Sequence, residues 1–286
     1  MEQTRSLCIV TGANGFVGAH AVRRLRAHAD VLAVDQFWGA EPRAEEPRVS
    51  IDLTRPLPDA PELRAATVVH AAGLVDAPDP RALWDANVAA VFNVLDWAVR
   101  HEARQVVLIS CADVYPLREG ARQREHDPTA PRDFAGHSRA LAEQLAERMH
   151  RLHALPLTIL RLFHPYGPGQ TAGLAAGLAH ASASGTPFCS ALRAGARIGV
   201  VHVEDAAEAI DAAVRSAAGL RTLNVCADTP LTVADFAALV AMPGQAPARI
   251  DDAAAAAGDL AGENEAIRSA LGWHARQPPM GTGESG

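Results

Sequence analysis

The sequence predicts an α/β protein: a doubly wound parallel sheet with a small C-terminal lobe. Three observations carry this. Short apolar runs alternate with stretches of helical spacing. A glycine-rich turn joins the first run to the first helix. The candidate functional residues Gly12, Asp35, Ala72 and Cys111 each fall just past the end of a run, where a parallel sheet of this kind opens its ligand crevice.

Taken in order, Leu7–Val10 is a short apolar run ending at the turn and reads as a buried strand. Residues 16–27 show helical spacing, with Val17, Ala21, Val22 and Leu25 on one face. Val31–Val34 is a second strand that ends at Asp35, Val49–Leu53 a third, and Thr67–Ala72 a fourth. A long helix follows over 81–100, then a fifth strand over Val106–Ile109. The next helix spans 137–155, with Leu141, Leu145, Met149 and Leu152 on one face, and a sixth strand covers Leu157–Leu162. Val200–Val203, a helix over 204–216 and a strand at Leu223–Val225 resume the pattern after a Gly-, Ala-, Ser- and Pro-rich stretch. The expected organisation is a dinucleotide-binding domain over 1–164, rejoined by 200–226. A small lobe is expected from 165–199 and 227–274, with a disordered tail over 275–286.

Composition narrows the function. A net charge of −7 does not favour nucleic acid or an anionic membrane, and no apolar stretch approaches the ~18 residues of a membrane span. No signal-peptide pattern is present, and the four cysteines are scattered without metal-ligand spacing, so a cytoplasmic protein without a metal is expected. All 26 basic residues are arginine; the chain has no lysine.

The turn Thr11-Gly12-Ala13-Asn14-Gly15-Phe16-Val17-Gly18 sits between a strand and a helix. Its glycines permit the tight turn, the close approach of a pyrophosphate and helix-on-strand packing, the Rossmann arrangement. The helix N-terminus then faces the phosphates. Asp35 can accept hydrogen bonds from adenosine ribose hydroxyls and repels a 2′-phosphate, which favours NAD.

Further segments resemble the extended short-chain dehydrogenase/reductase family, the nucleotide-sugar epimerases and dehydratases. Residues 11–18 resemble its TGxxGxxG turn, and Asp52-Leu53 the pair beside the adenine. His70-Ala71-Ala72-Gly73 resembles the HAAA segment along the dinucleotide, and Asn87-Val88 with Asn93-Val94-Leu95 the central helix. Residues 160–170 resemble LRxFNVYGPGQ, and His202-Val203-Glu204-Asp205 resembles HVxD. The resemblance implies NAD as cofactor, with Asn14, Phe16, Val17, Asp52, Leu53, Ala71, Ala72, Gly73, Asn87 and Arg139 beside it. It also implies a small-molecule substrate and a homodimer built on helices 81–100 and 137–155.

The family's Ser/Thr–Tyr–Lys triad is not matched. Ser110-Cys111-Ala112-Asp113-Val114-Tyr115 resembles S-[ST]-x-x-V-Y and puts Cys111 at the Ser/Thr position. Phe134-Ala135-Gly136-His137-Ser138-Arg139 resembles P-Y-G-x-S-K and puts Ala135 on the Tyr and Arg139 on the Lys. A chain without lysine holds no YxxxK under any alignment. Arg139 keeps the charge but holds its proton too tightly to relay it. The loss of a positioned acid/base typically costs ~10²–10⁴-fold in rate. Asp113 is the first candidate substitute, because related dehydratases and decarboxylases place an acidic base there. His164, which replaces the Asn of FNVYGP, is the second, because an imidazole can both give and take a proton. His137 is a weaker candidate and Cys111 a nucleophile candidate, whereas Tyr115 and Tyr166 read as structural. Glu147, His150 and His153 read as a surface helix face. In the lobe, the segment that resembles the family's RDFVHV reads Ile198-Gly199-Val200-Val201-His202-Val203 and departs from it at the Arg; Arg197 is one place off and Arg193 lies nearby, so phosphate binding stays open. Three readings stay open: an NAD-dependent epimerase, dehydratase or oxidoreductase; a lyase or isomerase without hydride transfer; and a catalytically silent NAD-binding sensor or partner subunit.

Overall fold

Seven parallel strands form the central sheet of the computed structural model, which describes residues 5–38, 47–216 and 219–276. The strands are β1 (Leu7–Thr11), β2 (Asp30–Asp35), β3 (Arg48–Ser50), β4 (Thr67–His70), β5 (Gln105–Cys111), β6 (Leu157–Leu162) and β7 (Leu220–Val225). Their spatial order is β7-β6-β5-β4-β1-β2-β3, so the direction of winding reverses between β1 and β4. That reversal opens a crevice at the C-terminal ends of these two strands.

The helices are α1 (Phe16–Leu25), α2 (Pro80–Trp84), α3 (Ala90–Arg100), α4 (Phe134–His153), α5 (Gly173–Ser184), α6 (Val203–Arg215), α7 (Val233–Leu239) and α8 (Glu265–Leu271). One apolar cluster packs α1 and α6 on the sheet through Val22, Leu25, Ile210 and Val214. A second packs α3 and α4 on the opposite face through Val91, Val94, Leu95 and Met149. A third lies outside the sheet and joins Tyr115 and Phe163 to Leu178, Ile198 and Phe236. Among the described residues no helix is long and apolar enough to cross a membrane.

The structure moves several expected boundaries. The third strand ends at Ser50 rather than Leu53, because Asp52 turns the chain by accepting from the Thr54 N–H at 3.0 Å and the Thr54 hydroxyl at 2.6 Å. The helix expected over 81–100 is interrupted by a π-helical turn at Asp85–Ala89. The strand expected over 200–203 pairs only at Val201–His202, because the His202 side chain caps α6 and Val203 begins that helix. Helix α4 starts at Phe134, three residues early, capped by the Asp133 side chain on the Gly136 N–H at 2.8 Å. Its buried face is only half of the expected one, since Met149 and Leu145 of the expected stripe pack on the core. Ala142, Glu143, Ala146 and Met149 face inward, while Leu141 and Leu152 are exposed. Most of the expected tail, 277–286, lies outside the described residues. Ala275 packs on the core and Arg276 pairs with Glu208 at 3.0 Å, so residues 275 and 276 are held, contrary to expectation.

Candidate active site

The glycine turn has the geometry of a pyrophosphate cradle. Gly12 has a φ of +69° and lies so near the Ala72 backbone that a Cβ would fall 2.4 Å from its nitrogen. A Cβ on Gly18 would fall 2.0 Å from the Gly12 carbonyl oxygen, so only glycine lets α1 approach the turn. Helix α1 begins at Gly15 with no side-chain cap and no acidic residue in its first turn. The N–H groups opened by Phe16 and Val17 thus face the crevice without a competing anion, which fits a phosphate. At the end of β2, Asp35 Oδ2 accepts from the Asn14 N–H at 2.9 Å and Oδ1 from the Phe37 N–H at 3.3 Å. This fixes the carboxylate beside the cradle with lone pairs left for a ribose. Asp52 is held by Thr54 and Arg55, and the Thr54 hydroxyl lowers its pKa; Leu53 is buried, with its carbonyl bonded to Asn93 at 2.9 Å. The residues present therefore fit a dinucleotide.

On the far side of β1, the chain leaves β4 through His70, Ala71, Ala72 and Gly73. His70 is buried, and its Nδ1 lies 2.7 Å from the Thr11 hydroxyl. Burial, and then the Arg139 charge, pull its pKa down to about 3, so the ring stays neutral. Asn87 comes from the π-helical turn and is fully buried. Its amide ties the Leu74 N–H (2.8 Å), the Leu74 carbonyl (2.9 Å) and the Ser138 hydroxyl (2.9 Å) together. Asn87 is thereby spent on holding the loop after β4 against α4. The Arg139 guanidinium lies against Gly73, where a Cβ would come within 2.4 Å of Nη2, and donates to the Ile109 carbonyl at 3.2 Å. A fixed cation therefore stands next to the cradle.

Cys111 and Asp113 lie close to this cation, the nearest of the remaining candidates. Cys111 ends β5, and Asp113 sits in the helical turn Ala112–Val114 that follows. Gly136 packs on the Asp113 carbonyl so closely that a Cβ would be 2.4 Å away, which fixes the start of α4 and half-buried Ala135 against this turn. Burial, reinforced by Asp113, pushes the Cys111 thiol up to about 12, which removes it as a thiolate nucleophile near neutral pH. Neighbouring Ser110 does not replace it, because its buried hydroxyl donates to Glu143. His137 is exposed and its Nδ1 bonds the Asp133 carbonyl at 2.7 Å.

His164 follows β6 with a φ of +32°, a strained conformation for a residue with a Cβ. Its Nδ1 lies 3.0 Å from the Gly199 carbonyl. A carbonyl only accepts, so Nδ1 carries the proton and Nε2 keeps a lone pair in the neutral ring. Tyr115 and Tyr166 are buried with phenols raised to about 12, consistent with structural roles. In the lobe, Arg193 and Arg197 are exposed, and neither guanidinium has a partner among the described residues.

A buried network behind the site was almost invisible in the sequence. Arg161 donates to Glu143 at 2.6 Å and to the Tyr115 hydroxyl at 2.6 Å, and that hydroxyl donates to Asn224 at 2.8 Å. The available signal was one arginine inside the otherwise apolar run Leu157–Leu162. Among the described residues no group of three or more His, Cys, Asp or Glu could hold a metal ion. Glu147 pairs with Arg151 and His150 with the Leu155 carbonyl, both at 2.8 Å.

Comparison with known proteins agrees with this geometry. Residues 8–226 match the model of the NAD dependent epimerase/dehydratase family. A dTDP-glucose 4,6-dehydratase of Streptomyces antibioticus is 32% identical over 181 residues, 57% of this chain and 54% of that protein. A UDP-glucose 4-epimerase of Azospirillum brasilense is 28% identical over 172 residues, 56% of this chain and 49% of that one. The aligned region thus spans about half the length of these curated relatives. The solved structure of MoeE5 in complex with UDP-glucuronic acid and NAD superposes with a TM-score of 0.81 at 25% identity, covering 94% of each chain. The match over most of the chain, on an intact cradle, shows that this chain belongs to the NAD-dependent epimerase/dehydratase family.

Proposed function

We propose that this chain is an NAD-dependent enzyme of nucleotide-sugar metabolism whose proton chemistry runs through Asp113 and His164 instead of a Tyr–Lys pair. The observation that supports the reading most is Arg139 held against Gly73 beside the cradle, with Cys111 and Asp113 at the end of β5 and just past it and His164 just past the end of β6; the resemblance puts Ala135 at the family's tyrosine position. NAD, when bound, supplies a hydride acceptor for a sugar carbinol. Arg139 holds the nicotinamide ribose hydroxyls as a fixed cation and relays no proton. Asp113 takes the proton from the sugar hydroxyl, and His164 Nε2 exchanges a proton on the lobe side. Cys111 contributes only a weak S–H hydrogen bond. Arg193 and Arg197 meet the diphosphate of the substrate. The relatives named above act on nucleotide-linked sugars, which supports this substrate class.

Asp113→Asn should lower turnover of a responsive nucleotide sugar by ~10²–10⁴-fold while leaving NAD binding intact. Unchanged turnover would remove Asp113 from the reaction. Ala135 specifically favours a second reading, a protein that binds NAD without hydride transfer. Full activity in protein stripped of NAD would establish a lyase or isomerase instead, and binding without turnover of any nucleotide sugar would point to a silent sensor.

We also infer a homodimer. Trp84, Phe92, Leu141 and Leu152 lie exposed on α2, α3 and α4. A second copy would cover this face about a twofold axis. Light scattering should give twice the chain mass, and Phe92→Asp with Leu141→Asp should halve it. The cysteines Cys8, Cys111, Cys189 and Cys226 are free, which suits a cytoplasmic setting.

A further inference from the structure

We infer that His20 is a positioning residue that straps the loop after β6 to the cofactor helix and so controls how fast NAD leaves. The inference rests on NAD occupying the cradle and not on the reaction proposed above. His20 lies one turn into α1, its ring edge-on to Phe16 at 5.7 Å between centroids. Its side chain is 11% exposed. Nε2 lies 3.1 Å from the Pro168 carbonyl, and Nδ1 lies 2.9 Å from Glu204 Oε1 at the start of α6. Arg23, one turn further along α1, pairs with the same Glu204 carboxylate and lies 3.1 Å from His20 Nδ1. The Pro168 carbonyl only accepts, so Nε2 carries a proton in either charge state of the ring. Nδ1 then donates to Glu204 or accepts from Arg23.

The loop on the other side of this bond is built to be held. Gly167 and Gly169 take φ values of +141° and +87°. A Cβ on Gly167 would meet Val203 Cγ1 at 2.8 Å and His202 Nε2 at 3.1 Å, so the loop lies directly on the start of α6. Gln170 donates to the Pro165 and Ala172 carbonyls at 2.9 and 3.0 Å and closes the loop on itself. Among the described residues, the one direct side-chain hydrogen bond between this preformed loop and α1 comes from His20. Helix α1 opens with the phosphate-facing N–H groups and the loop follows the C-terminal end of β6, so the bond ties the cradle helix to a loop at the same end of the strands, and we take these two as the walls of the dinucleotide's crevice. Release of a dinucleotide lying between them requires the walls to part.

The test loads the purified protein with NAD, chases with isotope-labelled NAD, and follows exchange by mass spectrometry, with melting of the apoprotein in parallel. His20→Ala should exchange NAD at least about tenfold faster. His20→Gln, whose terminal amide reaches where Nε2 lies, should exchange nearly as slowly as the parent. His20→Asn, which reaches only as far as Nδ1, should behave like His20→Ala. A merely structural role would lower apoprotein melting without separating Asn from Gln. Equal exchange rates for Ala, Asn and the parent overturn the inference. A parent protein that takes up no NAD also overturns it, together with the cofactor assignment, whereas loss of sugar turnover with the predicted exchange pattern would overturn only the proposed reaction.

Discussion

Gly18→Ala offers a prediction whose size follows from coordinates alone. The new Cβ would sit 2.0 Å from the Gly12 carbonyl oxygen and 2.7 Å from the Gly12 carbonyl carbon. Both are backbone atoms, and the first distance is about 1 Å inside the closest approach that Cβ atoms make. The turn cannot retreat, because Gly12 itself lies against the Ala72 backbone. Helix α1 must therefore move away from the turn by about that distance. Overpacking of this kind costs ~1–3 kcal/mol of stability. At ~2–4 °C per kcal/mol for a chain of this size class, melting should fall by roughly 2–12 °C. The same shift misplaces the N–H groups that hold phosphate, each charge-assisted bond being worth ~1.5–3 kcal/mol, so NAD affinity should fall by ~10²-fold or more. Gly15→Ala is the contrast. Its Cβ would lie 3.1 Å from the Gly12 oxygen at an ordinary φ of −74°, a tight contact that a shift of a few tenths of an ångström relieves, so melting should fall less than in Gly18→Ala while the cradle is narrowed. Calorimetric titration with NAD and scanning calorimetry measure both quantities. A Gly18→Ala protein with parental affinity and melting would refute the close-approach argument.

Other consequences are equally direct. Glu143→Ala leaves the Arg161 guanidinium, 5% exposed, without its carboxylate and should cost ~3–5 kcal/mol by chemical denaturation; a loss below ~1 kcal/mol would show the buried network to be dispensable. With its thiol pushed up to about 12, Cys111 should resist iodoacetamide near neutral pH while exposed Cys189 is alkylated, as peptide mass mapping would show. His70 gives a pH prediction with a definite sign. Its folded pKa lies near 3 against an ordinary 6.5, so the unfolded chain binds a proton that the folded chain refuses. The contribution is fully present above 6.5 and lost as pH falls toward 3, at up to about 1.4 kcal/mol per unit. His70→Gln should flatten the fall of the urea midpoint over that window, and an identical slope in both proteins would contradict the assignment.

Much of the fold was legible because parallel strands buried on both faces write themselves as apolar runs. Leu157–Leu162 was placed to the residue, and Asp35 was found at its strand end. Errors arose where side chains, not periodicity, set a boundary, as with Asp52 ending β3 and Asp133 starting α4. Half of the α4 stripe, Leu145 and Met149, faces the core, while Leu141 and Leu152 do not, because leucine spacing marks an apolar face but does not say what covers it. Of the site, the cradle was readable from glycine spacing, since each glycine answers a local steric need. The roles of Asn87, Ser110 and His20 were not, because each depends on a partner between 33 and 184 residues away in the chain that no local pattern reveals.

The most direct test of the central claim is a crystal structure with NAD and a nucleotide sugar bound. The Arg139 guanidinium should lie on the nicotinamide ribose, with an Asp113 oxygen or His164 Nε2 within hydrogen-bond reach, about 2.6–3.2 Å, of the reacting sugar hydroxyl. A sugar bound with neither group in reach, or NAD lying away from residues 12–18, would contradict the claim.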